Sequence, residues 1–257
     1  MEFSAILYQQ LYKFFFVSFR ILLLFFLFPF FSPIYFPLRI KIFIALILAL
    51  IITPAVNFKL PQVFDIYHVT LIFFNEFLLI FIISLIFRFI LAGIQLGGEM
   101  VGIQMGFGIS QTIDPLSGFS LPVISQLIYI VILLFFFTFN LHHYLIYFLC
   151  QSFEKIPPGS FELNKNLINL IIKNSGLIFE LSVKFLSPLL IFMMLIYISM
   201  AIIARFIPQM NVIFVSFPLT IGLGLIFFGL MLVLLPRIIY PYFNKYFEIL
   251  TILLKIH

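Results

Sequence analysis

With 64% hydrophobic, 19% aromatic and 9% charged residues, this 257-residue chain lacks the polar surface of a soluble domain, in which about 25% of residues are charged. Its 14 lysines and arginines, set against 9 acidic residues, give a net charge of +5 but form no basic block, which argues against a nucleic-acid partner. Cys150 is the sole cysteine, so an intramolecular disulfide, a CxxC redox pair and a thiolate zinc site are excluded.

Composition and the length of the apolar runs predict an all-α membrane protein in contact with lipid, with about six long hydrophobic helices arranged in hairpins. The runs cover residues 14–31, 40–56, 69–94, 123–149, 176–204 and 212–235. The first follows Lys13 and superficially resembles a signal peptide, but Arg20 interrupts it and further spans follow, so it reads as a retained span. Residues 32–37, SPIYFP, fit only a tight reversal, which pairs the first two runs as a hairpin.

The third run carries Glu76 and Arg88. A charge at a helix centre costs about 2.5 to 3.5 kcal/mol unless it is paired or wetted. Twelve residues apart, the two lie about 18 Å from each other on a straight helix and cannot pair. Each needs a partner on another helix or subunit, or an aqueous cavity; intersubunit pairing and a proton pathway are equal expectations.

Gly93 and Gly97, and Gly98, Gly102 and Gly106, recur every fourth residue, a spacing that lets helix backbones approach closely in membranes. The expected role of Gly93, Gly97, Gly98 and Gly102 is helix packing. After Gly106 the chain changes character: Gly108, Ser110, Gln111, Thr112, Asp114-Pro115 and Ser117-Gly118 are turn formers and helix breakers. At membrane depth such a loop is tolerated only where protein buries it or it lines a water-filled space. The stretch is a candidate pore loop or plug, with Met105, Phe107, Ile109 and Phe119 as apolar stoppers.

His142 and His143, in the fourth run, point about 100° apart on a helix and cannot hold one metal together. Residues 153–173 are the most hydrophilic link: Pro157-Pro158-Gly159, then Leu163, Leu167, Leu170 and Ile171 at helical spacing. This reads as a loop followed by an amphipathic helix on the membrane surface or against a partner. The last two runs, joined by the turn 205–211, form a second hairpin. Alternating the lysines and arginines across six spans places both termini in the cytoplasm.

No HExxH, CxxC, GxxxxGK[ST] or GxSxG occurs. Neither catalysis nor a cofactor is expected, and any work must be driven by partners or an ion gradient.

GEMVGIQMGFGISQTIDPLSG, FNLHHYLIYFLCQSFEKIPPG and ARFIPQMNVIFVSFPLTIGLGL, in that order, resemble the FliR/SctT family of type III export-gate proteins over residues 14–236. The flagellar branch is favoured by Gly102-Ile-Gln-Met-Gly106, by Phe139-Asn140 with His142 and Ser152-Phe153 ahead of Pro157, and by Phe217-Pro218-Leu219-Thr220. Pro208, Gln209, Asn211, Phe217 and Pro218 are family-motif positions. Leu141 and Ile207 depart from the flagellar pattern, which usually has Gly and Ala there.

The resemblance implies a non-enzymatic, multi-pass inner-membrane component of the flagellar basal body. Its implied partners are FliP and FliQ subunits around a central export channel, with FlhB and FlhA as further export components. Unfolded rod, hook and filament proteins are the implied transient substrates. It further implies a FliP-like region at 1–175, a FliQ-like hairpin at 176–257 and a plug formed by 106–121. Glu76, Arg88 and Arg205 are the expected intersubunit charges. Two other readings are the equivalent gate of a virulence injectisome and a small proton-coupled transporter, the latter disfavoured by the lack of a clear inverted repeat.

Overall fold

The structure, a computed structural model, describes residues 2–31, 37–58, 65–107, 123–207, 209 and 211–256. Among these residues it is all helical: α1 Glu2–Leu27, a 3-10 turn Pro29–Phe31, α2 Leu38–Ile52, α3 Ile66–Gln104, α4 Val123–Thr138, α5 Leu141–Lys155, α6 Lys165–Ser175, α7 Leu177–Phe206 and α8 Val212–Ile256.

Among the described residues, four stretches are long and apolar enough to cross a bilayer: Tyr8–Leu27, Ile66–Gln104, Ser187–Phe206 and Phe214–Lys255. The pair α4 and α5, bent by 66°, makes a fifth if it is one span. This differs from the expected six at two places. The second apolar run yields only the 15 residues of α2, about 22 Å of helix against a hydrocarbon core of about 30 Å. The helix ends where the Thr53 hydroxyl donates to the Ala49 carbonyl at 2.6 Å, just before Pro54. The fourth run breaks at Asn140, whose φ of 56° is left-handed, a conformation that Asn tolerates better than most residues.

The last run extends past its expected end at Leu235. Pro218, Pro236 and Pro241 all lie inside α8, although each removes a backbone donor. The buried positions Ile239, Phe243, Tyr246, Leu250 and Leu253 continue at helical spacing beyond Pro236, and their burial sustains the helix.

The chain divides into two compact units. The first comprises Met1–Arg88, Phe137–Ser175 and Asn244–His257. Its core includes the Phe87 ring, with centroids 4.7 Å from Phe28, 5.1 Å from Phe30 and 5.0 Å from Tyr246. The buried Tyr246 hydroxyl donates to the Ile83 carbonyl at 3.3 Å, as a buried phenol requires.

The second unit comprises Phe89–Phe136 and Gly176–Phe243. Here α7 and the first part of α8 form an antiparallel hairpin, with Phe192 and Phe227 stacked at 4.3 Å. Near the start of α7, Lys184 Nζ donates to Glu180 Oε1 and to the Tyr242 hydroxyl, each at 2.8 Å. The Glu180 carboxylate, with help from the phenol, holds the Lys184 ammonium above the ordinary lysine range.

Candidate functional site

Within the second unit, α3 ends inside the glycine-rich block in a Schellman cap. The Gly106 N–H donates to the Ile103 carbonyl at 3.0 Å and the Phe107 N–H to the Gly102 carbonyl at 2.9 Å. Gly106 has φ 96°, the left-handed value this cap needs and glycine supplies without a Cβ penalty. The sequence change after Gly106 therefore coincides with a defined helix stop.

Side chains from the hairpin grip this stop. Tyr197 of α7 donates its hydroxyl to the Gln104 carbonyl at 2.5 Å. The Thr220 hydroxyl of α8 lies 3.0 Å from the Phe217 carbonyl and 3.5 Å from that of Met105, sharing its proton between them. These bonds satisfy carbonyls that a helix C-terminus leaves open. The packing is equally close: a Cβ at Gly106 would meet the Phe217 ring at 3.1 Å, and one at Gly224 would meet Met105 Cγ at 2.7 Å. The block GIQMGF and the block FPLTIGLG, about a hundred residues apart, meet here.

Met105, expected as a stopper, is fully buried against α8 and so anchors the end of α3. Phe107 is half-buried. Gly108, Ile109, Ser110, Gln111, Thr112, Asp114 and Phe119 lie outside the described residues, as does Pro208. Gln209 is exposed. Asn211 caps α8, its Oδ1 accepting from the Phe214 N–H at 3.4 Å. Phe217 and Pro218 are on the first turns of α8, Phe217 against Gly106.

The spaced glycines face neighbouring helices. A Cβ at Gly93 would stand 2.8 Å from the Ile178 carbonyl oxygen, and one at Gly97 would meet Phe185 at 3.1 Å, both on α7. Gly98 faces α4, where a Cβ would meet Ile128 at 2.5 Å. Gly102 is buried.

In the first unit, Glu76 has its partner within the chain, which corrects the intersubunit expectation for that residue. The Arg20 guanidinium grips the carboxylate in a fork, Nε to Oε2 at 2.5 Å and Nη2 to Oε1 at 2.7 Å. The side-chain exposures are 0% and 1%. Arg20 also donates to Ser152 Oγ and to the Ile156 carbonyl, each at 3.0 Å, so four of its five N–H donors are used. The Phe153 ring lies 4.2 Å from the guanidinium carbon, a cation–π distance.

Gly159, φ 84°, donates its N–H to Glu76 Oε1 at 3.3 Å and accepts from Asn75 Nδ2 at 3.0 Å. The Ser-Phe and Pro-Pro-Gly elements of the second block thus complete this buried cluster. Arg88 and Arg205 are exposed, and Arg88 donates to the Leu27 carbonyl at 3.1 Å.

Arg20, Ser152, Gly159, Tyr197, Thr220 and Gly224 were not among the expected site residues. One signal was available for Arg20: two opposite charges in two apolar runs are cheapest if they meet.

The family described as bacterial export proteins, family 1, matches residues 11–246. A flagellar biosynthetic protein FliR of Escherichia coli is 32% identical over 59% of this chain and 57% of its own length. Proteins of the same name from Buchnera aphidicola of Schizaphis graminum and from Bacillus subtilis are 30% and 32% identical, over 75% and 62% of this chain. The match spans 71% of the Buchnera protein and 62% of the Bacillus protein. It therefore covers less than two thirds of the E. coli and B. subtilis relatives.

Proposed function

The chain belongs to the bacterial export proteins, family 1, and on that premise we propose that it is a core subunit of the flagellar protein-export gate in an inner membrane. The observation that carries this reading is the stopped and gripped end of α3, where two separate blocks of the sequence hold the root of the glycine-rich loop. A segment that must resist a pressure across a membrane needs such a fixed base. The polar, turn-forming residues that follow, through 121, are the plug of the export channel.

In this reading the chain works with FliP and FliQ subunits in the basal body, 1–175 serving as the FliP-like region and 176–257 as the FliQ-like hairpin. The exposed Arg88 and Arg205 face those neighbours, and FlhB and FlhA act alongside. Unfolded rod, hook and filament proteins pass through, driven by a separate ATPase and the proton gradient, and the chain itself catalyses nothing. Proton relay through Glu76, the basis of a transporter reading, is disfavoured because the carboxylate is closed in a buried fork with Arg20.

Co-purification of the tagged chain from membranes tests the assignment. FliP- and FliQ-type subunits should remain bound. Recovery of the chain alone, together with solute uptake by the purified chain in proteoliposomes, would replace the gate with a transporter.

A further inference from the structure

Helix α6 supplies no residue to either cluster, and its surface is divided into three arcs. At about 100° per residue, Leu167, Leu170 and Asn174 share one side, and Leu167 and Asn174 are buried while Leu170 is half-buried. Ile168 and Ile172 share the next arc and are 39% and 65% exposed. Lys165, Asn166, Asn169 and Lys173 occupy the third and are all exposed. The inward arc seats the helix on its own unit; the other two lie open, one apolar and one basic.

The position of α6 along the chain limits what can cover it. It begins ten residues after Lys155, the end of the bent pair, and ends 12 residues before Ser187, where the next apolar stretch begins. A segment tethered this closely to two stretches apolar enough to cross a bilayer, the bent pair counted as one, stays near a bilayer face. It holds no acidic residue, so its lysines have no carboxylate on their own helix, whereas lipid phosphates supply negative charge.

We propose that α6 is an interfacial helix bound to the anionic headgroup layer of the membrane. Ile168 and Ile172 enter the headgroup and acyl boundary, as the apolar face of an interfacial helix does. Lys165 and Lys173 lie alongside and contact lipid phosphate; each lysine near such a surface strengthens binding about fivefold. The helix thereby fixes the level of the Pro-Pro-Gly turn and of α5 relative to the bilayer.

The test uses the full chain with Cys150→Ser, carrying a nitroxide at Ile172→Cys or Asn169→Cys, in phosphatidylglycerol-rich and in pure phosphatidylcholine vesicles. Both labels sit on exposed positions, so folding is not at stake. The Ile172 label should relax with oxygen more than with a water-soluble nickel chelate, and the Asn169 label the reverse. Adding Lys165→Gln with Lys173→Gln should move the Ile172 label towards water in the anionic vesicles and little in the neutral ones. An Ile172 label shielded from both reagents would mean that protein covers this face, and equal nickel access at both labels would mean water does. Depth insensitive to phosphatidylglycerol and to the lysine variants would remove the anionic surface. Each of these three results overturns the proposal.

Discussion

Gly224 of α8 and Met105 at the end of α3 approach so closely that a Cβ on residue 224 would stand 2.7 Å from Met105 Cγ and 3.0 Å from its Cε. This contact, the Phe217 ring on Gly106 and the hydroxyl of Thr220 join the end of one long helix to the start of another. The end of α3 is therefore set by packing from the hairpin as well as by its own cap.

Filling the space at residue 224 should loosen that joint. Gly224→Val is expected to cost about 1–3 kcal/mol through overpacking, read as a lower melting temperature in detergent. Gly222 and Gly229, on the same helix, have nothing within 4 Å of a built Cβ. Gly222→Ala and Gly229→Ala should leave the isolated chain's melting unchanged or slightly raised, since Ala is the better helix former.

The cap itself depends on a left-handed residue. Gly106→Ala is expected to cost about 1–2 kcal/mol for the strained backbone, with the Phe217 ring at 3.1 Å leaving little slack. Gly106→Asn should cost less, because Asn is the usual substitute at this cap position. Thermal melting of the two variants side by side checks the order.

Breaking the buried pair from either side should be severe. Arg20→Leu or Glu76→Gln is expected to lose about 3–5 kcal/mol, because each disrupts a buried ion pair and leaves its partner without its counter-charge. Arg20→Met combined with Glu76→Leu should recover most of that loss. A double variant as unstable as the sum of the singles would show that the two residues are not coupled and that each acts through its other contacts, such as Ser152 and Gly159.

At Gly159 two obstacles coincide, a φ of 84° and the Ile72 side chain 2.8 Å from a built Cβ. Gly159→Ala should release the turn from Glu76 and lower stability. Adding Ile72→Ala should relieve the steric part of the loss and leave the backbone strain of about 1–2 kcal/mol. Double-mutant analysis of melting separates the two.

The helical class, the hairpin of α7 and α8, the amphipathic α6 and the stop at Gly106 were legible because each is written in local pattern: apolar run length, 3.6-residue spacing, or a left-handed glycine. The partner of Glu76 was not, since Arg20 lies 56 residues away and only the fold brings the two helices side by side. The bend at Asn140 was hidden for another reason: the apolar run passes through it without a Pro or Gly. The apolar stretch at 40–56 looked like a span by composition, but Pro37 and Pro54 leave room for only 15 helical residues. The prolines of α8 misled in the opposite sense, because burial on its far side outweighs three missing donors.

The central claim, that the segment following this gripped helix end seals an export channel, is tested most directly by conductance. Deleting residues 108–114 leaves the Gly106 cap intact and should allow assembly with the partner subunits while making the assembled complex leak ions across a planar bilayer. An assembled deletion complex whose conductance equals that of the unaltered one would contradict the plug.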